Sequence, residues 1–481
     1  MTAWHSVSTR VSGRVSAFVL GVVIGATGML PPRIRYGYVH RFTGALLRKP
    51  LPALRPLKAD PRSGWAAPVT RTGDLRCVLA ASELDIGGIG SVVELLATRL
   101  PALGVTSAVI CLDDGARAQR MRALGIEVRC ARDKASALRA LAELRPDVIQ
   151  LHGAPAYLDA AAQQSRVPLV PVMHNTEIHY SRARWRRFSR VLSDSSSAVA
   201  VSELVRTFHA GHLPALLRSR IAVIPNASPR LGASDAHQRR DARGLLERAV
   251  GGRFSDDVVF VCLARYDAQK NIAGTVASFL ACVASGVPAQ LVIAGEPSDW
   301  VELRRSEAIR RGSRDADRVH LLATSDAPTL LAAADAFLLN SFFEGWPVAA
   351  TEAWAAGLPL ILSDVGGARE LVARDSGCSV LIQNAVGTAG TVTDARVARS
   401  RWAARHQRNS AELGDAIRTV VDKVRAERAA PVAAREASDG IAEMINAHAR
   451  ILRAAARSRP GGRSTRPGRL TGEEVRGAVT T

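Results

Sequence analysis

Aromatic side chains are scarce in this chain: 7 Trp, 5 Tyr and 10 Phe amount to 5% of 481 residues. Proteins that grip single-stranded nucleic acid interleave aromatic platforms with their cations, so the formal charge of +20 lacks its usual companion. Cysteine is scarcer still. Cys77, Cys111, Cys130, Cys262, Cys282 and Cys378 are scattered with no C-x-x-C pair, which argues against a zinc site or a disulfide framework. Cys77, Cys111 and Cys262 fall within apolar runs and read as small buried hydrophobes. No Asp-x-Asp pair is positioned to carry a metal, and no solenoid-type repeat is visible. Acids are nearly missing from both ends. Residues 1–73 hold 11 Lys and Arg against the single acid Asp60, and 457–481 hold six Arg against two Glu.

Between those basic ends lies a nearly balanced body, 74–456, with 47 basic and 41 acidic residues. A DNA-binding domain concentrates its cations on a folded face; here the excess sits in the tails, so no nucleic-acid partner is expected. A hydrophobic fraction of 47% supplies sizeable cores and excludes wholesale disorder. The length calls for two or three domains, since single cores stop growing near roughly 250–300 residues.

Val15–Pro32 runs 18 residues without a charge, the lower limit for a membrane span, which needs about 20. Arg10 and Arg14 precede it; Arg33, Arg35, Arg41, Arg48 and Lys49 follow. Heavy positive charge after the run argues against an export signal and would keep the carboxyl side cytoplasmic if the run spans. Two readings stand side by side. One is an anchor (15–32) holding a cytoplasmic protein at the inner face of the membrane; the other is a disordered extension or a misassigned start. Pro50–Pro68, rich in Pro, Ala and Arg, reads as a linker.

From Arg76 onward, short apolar runs alternate with Ala/Leu/Arg-rich helical stretches. The runs are Cys77–Ala81, Ala108–Leu112, Val148–Leu151, Pro168–Met173 and Ala198–Val201, then Val258–Leu263, Leu291–Ala294, Ala336–Leu339 and Pro359–Leu362. Runs so short and uniformly apolar suit parallel strands covered on both faces. The Arg-rich stretch Pro229–Asp257 divides the series. The expected fold class is α/β, two Rossmann-like doubly wound domains facing each other across a cleft.

In such sheets ligands bind beyond the carboxyl ends of the strands. Those ends deliver Gly87 and Gly88, His174, Arg265 with Lys270, Gly295, and the run Glu344-Gly345-Trp346-Pro347. Glu344 and Glu352 are the most telling pair. Pro347 suits the first position of a helix, which sets Glu344 just before that helix and Glu352 one to two turns inside it. A helix start offers free N–H groups to phosphate, and a carboxylate can clasp vicinal hydroxyls of a sugar. Two acids beside a diphosphate need compensating cations; Arg265 and Lys270 are at hand.

The segment SFFEGWPVAATEAWAAGLPLILSDVGGARELV (341–372) resembles the donor-site signature of the retaining family 4 glycosyltransferases, which have GT-B architecture. The resemblance extends to LARYDAQKN (263–271), VIPNASP (223–229), MHNTEIHY (173–180) and GGIGSVVELLATRL (87–100), and covers about 76–455. It implies a hexosyltransferase-type enzyme whose co-substrate is a nucleotide-diphosphate sugar, with no cofactor and no metal. The implied acceptor is a glycan or lipid-linked hydroxyl in cell-envelope polysaccharide or glycolipid assembly, with an anionic membrane surface as a further partner. The catalytic set would be Arg265, Lys270, Glu344 and His174. Glu352, Gly345, Trp346, Pro347 and Gly295 would bind donor, and Gly87 and Gly88 would close on phosphate or acceptor. The implied organisation is a basic extension over 1–73, an acceptor-side domain over 74–228 and a donor domain over 229–436. A helix over 437–456 then crosses back to the first domain, and 457–481 forms a disordered basic tail.

Three departures stand out. Ala264 occupies the place of the glycine before the phosphate-binding arginine, Gln150 stands where a first histidine is expected, and Ile382–Gln407 is long for its connection. His152 and His179 read as structural, and Asp85 and Asp364 as helix caps or ligand contacts. Arg182–Arg190, with five Arg, reads as a surface helix whose aromatics pack on the sheet in preference to a lipid-binding helix. A nucleotide-sugar epimerase or hydrolase of related fold, and a non-catalytic binding protein on a decayed transferase scaffold, are the rival functions.

Overall fold

The computed structural model describes residues 2–28, 30–31, 34–49, 51–52, 75–85, 87–228, 236–323, 326–374, 377, 379–429 and 440–458. Most of the expected linker and the basic carboxyl tail lie outside them.

Two all-parallel sheets organise the chain. The first contains β1 (Leu75–Ala81), β2 (Val105–Cys111), β3 (Glu127–Cys130), β4 (Val148–His152), β5 (Leu169–Met173), β6 (Ala198–Ala200) and β7 (Ile221–Val223), in the order β3-β2-β1-β4-β5-β6-β7. The second contains β8 (Val258–Leu263), β9 (Ala289–Ala294), β10 (Val319–Leu322), β11 (Ala336–Leu339), β12 (Leu360–Ser363) and β13 (Val380–Ile382), ordered β10-β9-β8-β11-β12-β13. This is the doubly wound pair expected. Central strands are buried along nearly their whole length because helices cover both faces: β4, β5, β9 and β11 expose no residue.

Each sheet reverses its strand order once, at β1/β4 and at β8/β11. A crevice opens at such a switch point, where loops leave in opposite directions. The loops after β8 and β11 carry Arg265, Lys270 and Glu344. Topology therefore brings together residues more than seventy positions apart.

The last helix, Ile441–Arg457, lies on β4, β5 and the turn Leu100–Leu103 of the first sheet's half. Its buried face is Met444, Ile445, His448, Ala449, Leu452 and Ala455, an i, i+1, i+4, i+5, i+8, i+11 stripe.

The amino-terminal segment is helical over Thr2–Gly28 and again over His40–Leu47. By length and composition Thr9–Gly28 could cross a membrane. It nonetheless packs along the helices Trp300–Arg311 and Asp394–Trp402 of the second sheet's half.

The basic run folds as the helix Arg182–Ser193, started by Ser181, whose hydroxyl accepts from Arg184 N–H at 3.3 Å. Of its aromatics, Phe188 packs on the core beneath, as expected, and Trp185 turns to the neighbouring helix. Trp185 stacks on His212 with centroids 4.4 Å apart and meets Phe208 and His209, so the partner is the neighbouring helix Glu203–His212.

Candidate active site

A cleft of about 600 Å³ separates the carboxyl ends of the two sheets. Gly87, Gly88, His174, Arg265, Lys270, Glu344, Gly345, Trp346, Pro347 and Glu352 all line it. Gly295 does not. A Cβ on Gly295 would sit 2.1 Å from the Ala264 carbonyl oxygen, so this glycine lets the turn bearing Arg265 pass close behind the wall.

The loop after β8 is tightly held. Asp267 Oδ1 accepts from the N–H groups of Gln269 at 2.9 Å and Lys270 at 3.1 Å, while its Oδ2 pairs with Arg265 Nη2 at 3.0 Å. Asn271 takes a left-handed conformation, φ 53°, and exchanges two amide hydrogen bonds with Gln407 at 2.9 and 2.7 Å. Lys270 is thus presented from a backbone fixed on both sides. Its Nζ lies 2.6 Å from Glu344 Oε1. Glu344 is buried and also accepts from Ser341 Oγ at 2.6 Å and Gln269 Nε2 at 3.0 Å. A carboxylate with this many partners is retained in its site rather than left as an orphan charge.

Pro347 is the residue just before the helix Val348–Ala355, one place earlier than the sequence suggested, and Glu352 lies one turn inside. Burial pushes the Glu352 carboxyl up to about 7, against the pull of Arg117. Trp346 Nε1 donates to Thr351 Oγ1 at 2.8 Å, bracing the loop against its own helix.

His174 comes from the other wall, after β5. Its Nε2 is 2.9 Å from His152 Nδ1; His152 Nε2 is 3.1 Å from Gln150 Oε1; Gln150 Nε2 is 2.9 Å from His448 Nδ1 on the last helix. Burial lowers His174 to about 4 and His448 to about 3, and holds His152 well below the ordinary range. All three rings are neutral at physiological pH. His152 does have a structural place, yet it touches the cleft histidine directly. His179 lies 3.2 Å from Asp394, which also binds Arg35 of the amino-terminal segment at 3.0 Å.

The two walls meet. A Cβ on Gly345 would lie 1.7 Å from the His174 carbonyl oxygen, and one on Gly88 would lie 2.8 Å from Val348 Cγ2. Gly87, φ 80°, starts the helix Gly88–Arg99. Asp85 is a cap, though not of that helix: its Oδ1 accepts from Arg117 N–H at 2.8 Å, in the first turn of Ala116–Ala123. Asp364 pairs with Arg369 at 2.5 Å and gives no side-chain cap to its helix.

Arg117 escaped the sequence reading. Its Nη1 lies 2.6 Å from Glu94, which is fully buried and also held by Arg120 at 2.6 Å. It adds a third cation to the cleft, opposite Glu352. The signal was available, because Arg117 follows β2 as Arg265 follows β8. Asp159 and Glu177 also line the cleft, and burial raises them to about 6 and about 7. Among the described residues no group of three or more His, Cys, Asp or Glu could hold a metal ion.

Comparison with known proteins agrees with this geometry. Residues 86–227 match the family model described as Glycosyltransferase Family 4, and 246–392 match that described as Glycosyl transferases group 1. A glycogen synthase of Mycobacterium tuberculosis is 29% identical over 298 residues, 56% of this chain and 66% of that one. EpsF of Bacillus subtilis, provisionally named a glycosyltransferase, is 29% identical over 147 residues, 31% of this chain and 37% of its own. The match thus spans less than two thirds of either relative's length. Among solved structures, Anabaena HepE in complex with UDP and glucose superposes with TM-score 0.58 at 16% identity, covering 79% of this chain and all of that one. The catalytic domain of Arabidopsis thaliana starch synthase IV, bound to ADP and acarbose, gives 0.55 at 14%, covering 80% of this chain and 99% of that one. Two glycosyltransferase family models thus match in succession, one on each of the facing doubly wound sheets, and the fold they share is that of the GT-B glycosyltransferases.

Proposed function

We propose that the protein transfers a sugar, with retention at the anomeric carbon, from a nucleoside-diphosphate sugar to a hydroxyl of a glycolipid or polysaccharide acceptor. The observation that carries this reading is the juxtaposition of Arg265, Lys270, Glu344 and Glu352 on one wall of a single cleft. As the bond from the anomeric carbon to the β-phosphate oxygen breaks, negative charge grows on the leaving diphosphate. Arg265, Lys270 and the N–H groups that open helix Val348–Ala355 supply the compensating charge. Glu344 receives sugar hydroxyls while remaining paired to Lys270, and Glu352 receives the ribose hydroxyls. His174 bounds the sugar from the opposite wall. With no carboxylate assigned as nucleophile, the acceptor hydroxyl attacks from the face that the diphosphate leaves, and its proton passes to the departing β-phosphate oxygen.

The test is a thermal-shift screen of UDP-, GDP- and ADP-sugars, followed by transfer assays with acceptor. Donor binding stabilises by about 2.7 kcal/mol at a hundredfold excess over Kd. Absence of any nucleotide-dependent shift would restore the decayed-scaffold reading, and donor breakdown that ignores acceptor would favour the hydrolase.

Glu352 adds a pH dependence. In the empty cleft its carboxyl titrates near 7, and only the ionised form accepts from both ribose hydroxyls. Nucleoside-diphosphate affinity should therefore rise as pH increases through about 7, and Glu352→Gln should flatten the trend; calorimetry on both sides of that pH reads it. The stability effect has the opposite sign. The native state keeps this proton after the unfolded chain has released it, so stability falls as pH rises from the ordinary value of 4.5 to about 7 and stays lowered above it.

A further inference from the structure

We infer that the amino-terminal helices form a membrane-docking module that lies in the plane of an anionic lipid surface, strapped to the second domain, instead of spanning the bilayer. This inference is independent of the transferase reading.

The helix Thr2–Gly28 has two contrasting apolar faces. One is built of small residues. Gly13, Ala17 and Gly21 are buried, with Ile24, and Gly25 and Gly28 continue the stripe. The spacing of four, continued from Gly21 to Gly25, keeps them on one side of a helix. A Cβ on Gly13 would meet the Gly312 nitrogen at 2.7 Å, and one on Gly25 would meet Trp402 at 3.1 Å. The other face is built of large residues: Val11, Val15, Phe18, Val19 and Val22 are 49–73% exposed. They fall at i, i+4, i+7, i+8 and i+11, opposite the small stripe. Among the described residues nothing covers them.

The next helix repeats the arrangement. A Cβ on Gly44 would meet Trp300 Cδ1 at 3.3 Å, and Arg304 caps the last turn by donating to the Leu47 carbonyl at 3.0 Å and Lys49 carbonyl at 2.8 Å. Tyr38, Phe42 and Leu46, spaced by four, are 67–78% exposed.

The partner's chemistry follows from charge. The outward apolar stripes are accompanied by Arg41, Arg48 and Lys49, all exposed, and the whole segment 1–73 has a single acid. Large apolar side chains beside a row of cations match the acyl and phosphate layers of an anionic surface.

Spanning is incompatible with the packing. From Gly13 to Gly28 the inner face runs about 22 Å along the second domain, at 1.5 Å per residue. Its neighbour Trp300–Arg311 carries Glu302, Arg304, Arg305, Glu307, Arg310 and Arg311. Carrying that helix into hydrocarbon would bury charges the bilayer does not tolerate. The strap is polar at both ends: Arg14 donates to the Gly312 carbonyl at 3.2 Å, and Arg35 binds Asp394 and the Leu30 carbonyl.

The experiment is co-sedimentation of the full chain with vesicles of phosphatidylcholine, and with vesicles of equal parts phosphatidylcholine and phosphatidylglycerol. Binding to the anionic vesicles should exceed binding to the neutral ones at least tenfold. Phe18→Asp with Val22→Asp should abolish it, with unchanged melting because both side chains point outward. Alkaline carbonate should release the protein from membranes of expressing cells. Retention after carbonate would overturn the in-plane arrangement in favour of a span. Equal binding to both vesicles, or undiminished vesicle binding by the double variant, would overturn the anionic lipid surface as the occupant.

Discussion

Lys270→Ala lowers kcat for sugar transfer by at least a hundredfold. Removing one positioned donor to a developing oxyanion costs about 2.7–4 kcal/mol in comparable sites, a factor of 10²–10³. Lys270 is also the partner of Glu344 at 2.6 Å in a buried site, so the same change removes half of an ion pair. A buried charge left alone costs about 3–5 kcal/mol of stability. The two effects separate in the double variant Lys270→Ala with Glu344→Gln. The neutral amide no longer needs the ammonium, so melting should recover while kcat stays low. Near-normal turnover in the single variant would remove Lys270 from the chemistry.

Gly345→Ala should be nearly as damaging, through geometry alone. The added methyl would sit 1.7 Å from the His174 carbonyl oxygen and 2.9 Å from Asn175 Cα. Both obstacles are backbone of the opposite wall, so neither can swing aside. The domains must part by an ångström or more. Misplacement on that scale costs about 10²-fold in rate. Each domain keeps its own core, so melting should change little and a nucleoside diphosphate should still bind the second domain. Loss of turnover with retained nucleotide binding, measured by calorimetry, is the expected pattern. An active variant would mean that the walls need not meet during turnover.

Sequence alone made the central strands legible and left out four: β3, β7, β10 and β13. Those are the four sheet edges. A central strand is covered on both faces and flanked by neighbours, so it reads as an unbroken apolar run. An edge strand is short and half-wet: β3 is Glu-Val-Arg-Cys with one buried residue, and β13 is three residues with one buried. β7 (Ile-Ala-Val) and β13 (Val-Leu-Ile) are apolar throughout but only three residues long, and β10 is interrupted by His320, so none stands out as a run. The site was legible because strand ends converge whenever strands are parallel. Arg117 was missed although the same rule reaches it, since its pairing with Glu94 and its approach to Glu352 depend on how the domains close. The amino-terminal run was legible as apolar but not as docked. Its small residues could serve a lipid-embedded helix or a protein-facing one equally, and only Gly312, Trp402 and Asp394 on the far side decide.

The buried chain His174–His152–Gln150–His448 holds a single binary choice. With Gln150 Nε2 donating to His448 Nδ1, its Oε1 must receive the Nε2 proton of His152. His152 Nδ1 then accepts, and His174 carries hydrogen on Nε2, leaving Nδ1 with a lone pair. Turning the Gln150 amide by half a rotation reverses every donor in turn and moves the His174 hydrogen to Nδ1, with no proton gained or lost. A histidine at position 150 would offer different logic, because it can take up charge. Glutamine keeps the wire neutral and lets the last helix, through His448, set which nitrogen the cleft histidine offers to its ligand.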